Sequence, residues 1–82
     1  MKDKELSVVE VYKAIESHLQ EKGIKYQARR LNGSIDLKIN NTRIVIYENQ
    51  IMVSWKMGTT SLPLTEYSVE FIKKGLNNAI WY

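Results

Sequence analysis

From residue 25 to residue 57 polar and apolar side chains alternate, and turn dipeptides interrupt the alternation at short intervals. Period-two alternation is what a half-buried strand requires, because successive side chains point to opposite sides of a pleated ribbon. Asn32-Gly33 is the strongest interruption, since both residues tolerate the positive φ of a two-residue hairpin loop. Asn40-Asn41 tolerates it too, and a third turn falls at Glu48-Asn49 or Asn49-Gln50. The pattern predicts four strands, at about 25–31, 34–39, 42–47 and 51–57.

The turns can be checked against one another. A two-residue loop at Asn32-Gly33 sets Tyr26 opposite Ile39, Ala28 opposite Leu37 and Arg30 opposite Ile35. It also sets Arg29 opposite Asp36 and Gln27 opposite Lys38 on the other side. A loop at Asn40-Asn41 sets Leu37 against Ile44 and Ile35 against Ile46, and either third turn keeps Ile51, Val53 and Trp55 on that same side. A one-residue slip anywhere would turn every side chain over, so three independent turns sorting one apolar face argue for a single antiparallel meander.

Helices flank it. Ser7-Val8-Val9-Glu10 has the form of a capping box, with Leu6 and Val11 at the staple positions around it. Val8, Val11, Tyr12, Ile15 and Leu19 make an apolar stripe, and Gly23 followed by Ile24 is a stop signal of the Schellman type. The first helix is expected over about 8–22. The second is expected over about 66–80, opened by Thr65 and carrying Val69, Ile72, Leu76 and Ile80 toward a core. Residues 58–64, with Pro63, read as a loop, and residues 1–6 as a flexible tail. The expected fold is α+β: one domain over 1–82, ordered α-β-β-β-β-α, with a four-stranded antiparallel meander and both helices on one face.

At 82 residues a single core supplies little net stability, and small domains often add disulfides, a metal or self-association. Cysteine is absent and there is one histidine, which leaves no disulfide and no thiolate metal site. That raises the expectation of self-association and of a cytoplasmic protein without cofactor or metal. No apolar run has the length of a membrane span. The net charge of +3 is compatible with an acidic or nucleic-acid partner. Lys, Asn and Ile, the residues of A/T-rich codons, are abundant. That fits a low-GC bacterium or its phage.

No phosphate-binding glycine loop, serine elbow or paired-carboxylate motif is present. His18 lies at the margin of the first helix's stripe with no nucleophile implied beside it, so a half-buried helical histidine is its plain reading and no catalytic residue is assigned.

Two surfaces remain. The outer sheet face carries Lys25, Gln27, Arg29, Lys38, Arg43, Ser54 and Lys56 around Val45, Tyr47 and Met52, with Asp36 as its one acid, expected to pair with Arg29. Cations that follow phosphates beside a ring that stacks on a base would suit single-stranded nucleic acid, with Lys38, Arg43, Tyr47 and Lys56 as the contacts. A solvated antiparallel face has a similar composition. The second surface is the back of the second helix, where Tyr67 and Phe71 stand one turn apart, opposite the core stripe, with Trp81 to one side. Surplus aromatic surface marks a protein contact, unless the rest of the chain covers it. The leading expectation is a non-enzymatic interaction protein that binds a protein partner or forms a homodimer, of the accessory or inhibitor kind encoded by phages and mobile elements. The alternative is a small single-stranded nucleic-acid-binding protein.

Overall fold

The computed structural model describes residues 4–77, and Ile80 and Trp81 lie outside them. Helix α1 runs over Val8–Glu21, followed by strands β1 (Gln27–Leu31), β2 (Ser34–Ile39), β3 (Thr42–Ile46), β4 (Ile51–Trp55) and β5 (Gly58–Leu62), and helix α2 over Glu66–Asn77. The strands form one antiparallel sheet in the order β1-β2-β3-β4-β5. The helices pack on one face of it as an α+β fold.

Both ends of α1 follow from local chemistry. The Glu10 amide donates to Ser7 Oγ at 3.2 Å while the Ser7 amide donates to Glu10 Oε1 at 3.0 Å, which closes the capping box. At the other end Gly23 takes a φ of +69°, and the Ile24 amide reaches back to the Leu19 carbonyl at 2.9 Å. The Gly23 amide bonds the Gln20 carbonyl at 3.2 Å, completing the Schellman pair.

The sheet has the expected register. Ala28 faces Leu37 and Arg30 faces Ile35; Leu37 faces Ile44 and Ile35 faces Ile46; Ile44 faces Val53. The third turn falls at Glu48-Asn49, closed by the Tyr47 amide on the Gln50 carbonyl at 2.8 Å. The inward residues Leu37, Ile39, Ile44, Ile46, Ile51 and Val53 are fully buried against Val11, Ile15 and Leu19 of α1 and Val69, Ile72 and Leu76 of α2.

Three differences from the sequence reading matter. The segment expected to be a loop is mostly the fifth strand: Gly58–Leu62 pairs with β4, from Trp55 opposite Gly58 to Ile51 opposite Leu62. Lys56-Met57 makes the turn, and Gly58 takes the strain of that reversal at a φ of +150°. An edge strand needs only one ladder, so the weak alternation of Gly-Thr-Thr-Ser-Leu suffices, and its β-branched threonines favour it. The segment read as a tail is paired at Lys4–Leu6: the Leu6 amide bonds the Leu64 carbonyl at 2.8 Å, and the Glu66 amide bonds the Lys4 carbonyl at 3.1 Å. Lastly, all five residues of β1 are exposed, including the inward-facing Ala28 and Arg30. The apolar cover stops at β2.

Candidate functional surfaces

Helix α2 carries the aromatic candidates. Thr65 begins it, its carbonyl accepting the Val69 amide at 3.2 Å and its hydroxyl accepting the Ser68 amide at 3.3 Å. Ser68, Val69, Ile72, Gly75 and Leu76 form its buried side. Tyr67 is 68% exposed and Phe71 40% exposed. Tyr67 stands on the crest and lines a groove of about 830 Å³ between the helices, whose floor is Leu6, Ala14 and Val69. Glu10, Glu66, Glu70, Lys4, Lys13 and Lys73 edge this groove, so its charges are mixed and nearly balanced. Helical spacing puts Phe71 on the flank turned away from the groove. The two rings therefore share the outward side of α2, as expected from the sequence, whereas Trp81 lies outside the described residues.

The outer sheet face is arranged less simply than expected. Asp36 does not pair with Arg29, the residue directly opposite it. Its carboxylate accepts from Arg43 instead, with Nε at 3.0 Å and 3.1 Å from the two oxygens and the nearer terminal nitrogen at 2.6 Å. Arg43 lies directly opposite Lys38, so it reaches Asp36 diagonally across two residues. A long guanidinium spans that diagonal and gains a bidentate geometry, and it moves away from Lys38 in doing so. The pairing raises the Arg43 pKa, through the hydrogen bond to Asp36 first and its charge second.

The four nucleic-acid candidates divide into two groups. Lys38 and Arg43 are cross-strand neighbours, and Lys56 lies in the turn at the same end of the sheet. Lys25 joins them beside Lys38 and Asn40. Tyr47, 39% exposed, follows the far end of β3, about 13 Å from Arg43 at the usual strand rise. One end is basic, and the ring is at the other.

Sequence reasoning missed a polar cluster where α1 meets β1. The Glu16 carboxylate accepts from the Tyr12 hydroxyl and, at 3.0 Å, from the Tyr26 hydroxyl, which in turn accepts from Gln20 Nε2 at 3.2 Å. Both phenols favour the ionised acid, so the Glu16 pKa is lowered, chiefly by Tyr12 and then by Tyr26. The Tyr12 hydroxyl is pushed up to about 12, mainly by its bond to Glu16. Burial raises Tyr26 as well, with Gln20 working against it. A carboxylate already satisfied by two donors is a poor proton acceptor, so this cluster is better suited to holding α1 to the start of β1 than to acid–base work. The spacing of Tyr12 and Glu16, four apart on one helix, was the available signal. Tyr12 also belongs to the apolar stripe, which masks its polar role.

His18 is buried, and its Nε2 has no hydrogen-bond partner among the described residues. Those residues contain no group of three or more histidine, cysteine or acidic side chains placed to hold a metal, and no helix long and apolar enough to cross a membrane. Comparison with protein-family models, with curated proteins and with solved structures finds no match for this chain.

Proposed function

We propose that this chain is a non-enzymatic interaction protein that binds a protein partner, a second copy of itself included, through the outward aromatic side of α2. The observation that supports this most is the pair Tyr67 and Phe71, one turn apart and 68% and 40% exposed on a helix whose opposite side is fully used by the core. Aromatic side chains anchor most protein contacts because they bury a large area for few lost rotamers. Full burial of a large apolar side chain is worth about 1.5–3 kcal/mol, and rings already partly covered contribute less. In a two-fold dimer the contact is self-complementary, so each ring acts twice. The groove beside Tyr67, with its mixed charged margin, supplies the polar border that such a contact needs. Small size and an abundance of Lys, Asn and Ile, residues of A/T-rich codons, fit an accessory or inhibitor protein of a phage or mobile element working in the cytoplasm.

Phe71→Glu tests this reading. It should give a folded protein of unchanged circular dichroism that is monomeric where the parent is dimeric, or that no longer binds the parent's partner. A folded variant with unchanged mass and unchanged partner binding would remove α2 from recognition. Unfolding of the variant would instead make Phe71 a core residue.

The basic end of the outer sheet face favours one second reading, single-stranded nucleic-acid binding. Lys25, Lys38, Arg43 and Lys56 would meet phosphates and Tyr47 a base. Affinity for an oligonucleotide should then fall steeply as salt rises, and replacing Lys38 and Lys56 should flatten that slope. Arg43 is the poorer probe, because it also neutralises Asp36. An absence of salt-dependent binding at low ionic strength would end this reading.

A further inference from the structure

We propose that the open edge of β1 takes up an extended acidic peptide segment of a partner protein as a sixth strand of the sheet. This site is separate from the aromatic side of α2 and does not depend on it.

The geometry starts at the hairpin. Leu31 and Ser34 flank the two-residue Asn32-Gly33 loop, so they form a hydrogen-bonded pair. Alternation then turns the amides and carbonyls of Leu31, Arg29 and Gln27 toward β2, and those of Ala28 and Arg30 off the edge of the sheet. Among the described residues no strand follows β1 on that side. Every β1 residue is exposed, on both faces of the ribbon. The edge is therefore accessible from above, below and the side, which is the condition for strand addition.

Charge selects the occupant. Arg29 and Arg30 project to opposite faces of β1, and Lys25 precedes them. Two of the acids around them are already engaged, while Glu48 shares the cleft beside Arg30. Asp36, directly opposite Arg29, is held bidentately by Arg43, and Glu16, which feels the charge of Arg30, accepts from Tyr12 and Tyr26. A second copy of β1 would bring arginines against arginines, which disfavours self-pairing. A strand with two successive acidic residues would place one carboxylate beside Arg29 and the next beside Arg30. Val8, Val9, Leu31 and Ile35, together with Arg30 and Glu48, line a cleft of about 260 Å³ at the hairpin end of this edge. Val9 and Leu31 remain 44% and 43% exposed there, so one aliphatic side chain flanking the acids has a place to go. The opposite edge, β5, carries neutral threonine and serine and has no such means of choosing a partner.

The probe is the capped hexapeptide acetyl-Thr-Val-Glu-Glu-Val-Thr-amide, titrated into the full chain and followed by amide hydrogen exchange. The amides of Ala28 and Arg30 should gain protection in a saturable way. Arg29→Glu should weaken binding about tenfold or more, since it turns an attraction across the ladder into a repulsion. A peptide N-methylated at alternate residues should lose the effect, because it keeps the charge but not the ladder. Phe71→Glu should leave peptide uptake unchanged, so this site and the α2 site can fail separately. The proposal is overturned by any of three results: no protection at millimolar peptide, equal binding of a lysine-for-glutamate peptide, or protection at Thr59 and Ser61 of β5 instead. Binding of a single-stranded oligonucleotide at Arg29 and Arg30 where the peptide does not bind would also overturn it. Should Arg29→Glu fail to fold, Arg29→Gln with the parent peptide reads the same charge dependence at smaller amplitude.

Discussion

The two edges of the sheet are built on different principles. At β1 the backbone edge is bare and charged, all five residues are exposed, and the strand is held to α1 through its approach segment, where Tyr26 donates to Glu16. At β5 the edge is neutral, Thr60 and Leu62 are partly buried on the inner face, and the chain leaving it is clamped between Lys4–Leu6 and the start of α2. A charged edge resists non-specific pairing by repulsion, whereas at β5 only the chain that follows the strand is clamped. Only the charged edge also discriminates among incoming strands, and for that reason the peptide site is placed at β1.

The comparison can be tested first against the sheet's centre, where the effect is largest. Ile44→Ala removes a fully buried side chain flanked by strands on both sides, and it should cost about 2–5 kcal/mol in chemical denaturation. Cooperative loss of exchange protection from both edges at once would show that they share one core. If only one edge loosened, the two sides would be separate folding units.

Next come the two attachments. Tyr12→Phe removes a hydrogen bond to the Glu16 carboxylate, and Thr65→Ala removes the cap of α2; each should cost about 1 kcal/mol. Their local signatures should differ: faster exchange around Tyr26 and Gln27 in the first variant, and around residues 64–69 in the second. Identical exchange maps would erase the distinction between the edges.

Acidity probes the β1 side further, because its attachment to α1 titrates. The Glu16 pKa is lowered from 4.5, so its contribution is present above that value and is lost as pH falls below it. Tyr12 is raised from 10.0 to about 12, so its contribution is complete below pH 10 and is lost between pH 10 and 12. Exchange or fluorescence at the α1–β1 junction should change in both windows before β5 responds. A simultaneous response at β5 would mean that the junction does not open independently. The smallest effect belongs to Lys38→Ala, on the solvent side of β2, which should change stability by less than about 0.5 kcal/mol. A cost near that of Ile44→Ala would show that the outer face is not the solvated one.

Local chemistry was enough to determine the registers, because a turn of fixed length leaves one pairing that keeps Leu37, Ile44 and Val53 on one side. It was enough for α1 as well, whose cap, stripe and stop are all written within 18 residues of one another. The aromatic pair on α2 was legible from a four-residue spacing, and the basic character of the outer face from alternation. Distance along the chain hid the rest. Gly58–Leu62 carries too little apolar pattern to announce a strand, and becomes one because β4 offers it a ladder. Lys4–Leu6 is ordered by residues 64–66, sixty positions away. Arg43 takes Asp36 from Arg29 because its diagonal reach across the sheet gives two-point contact, which direct opposition does not predict. The exposure of β1 depends on where the helices' cover ends. Turn geometry and side-chain period act over a few residues and can be read in order. Competition for a shared partner and the extent of cover are settled only when distant segments meet.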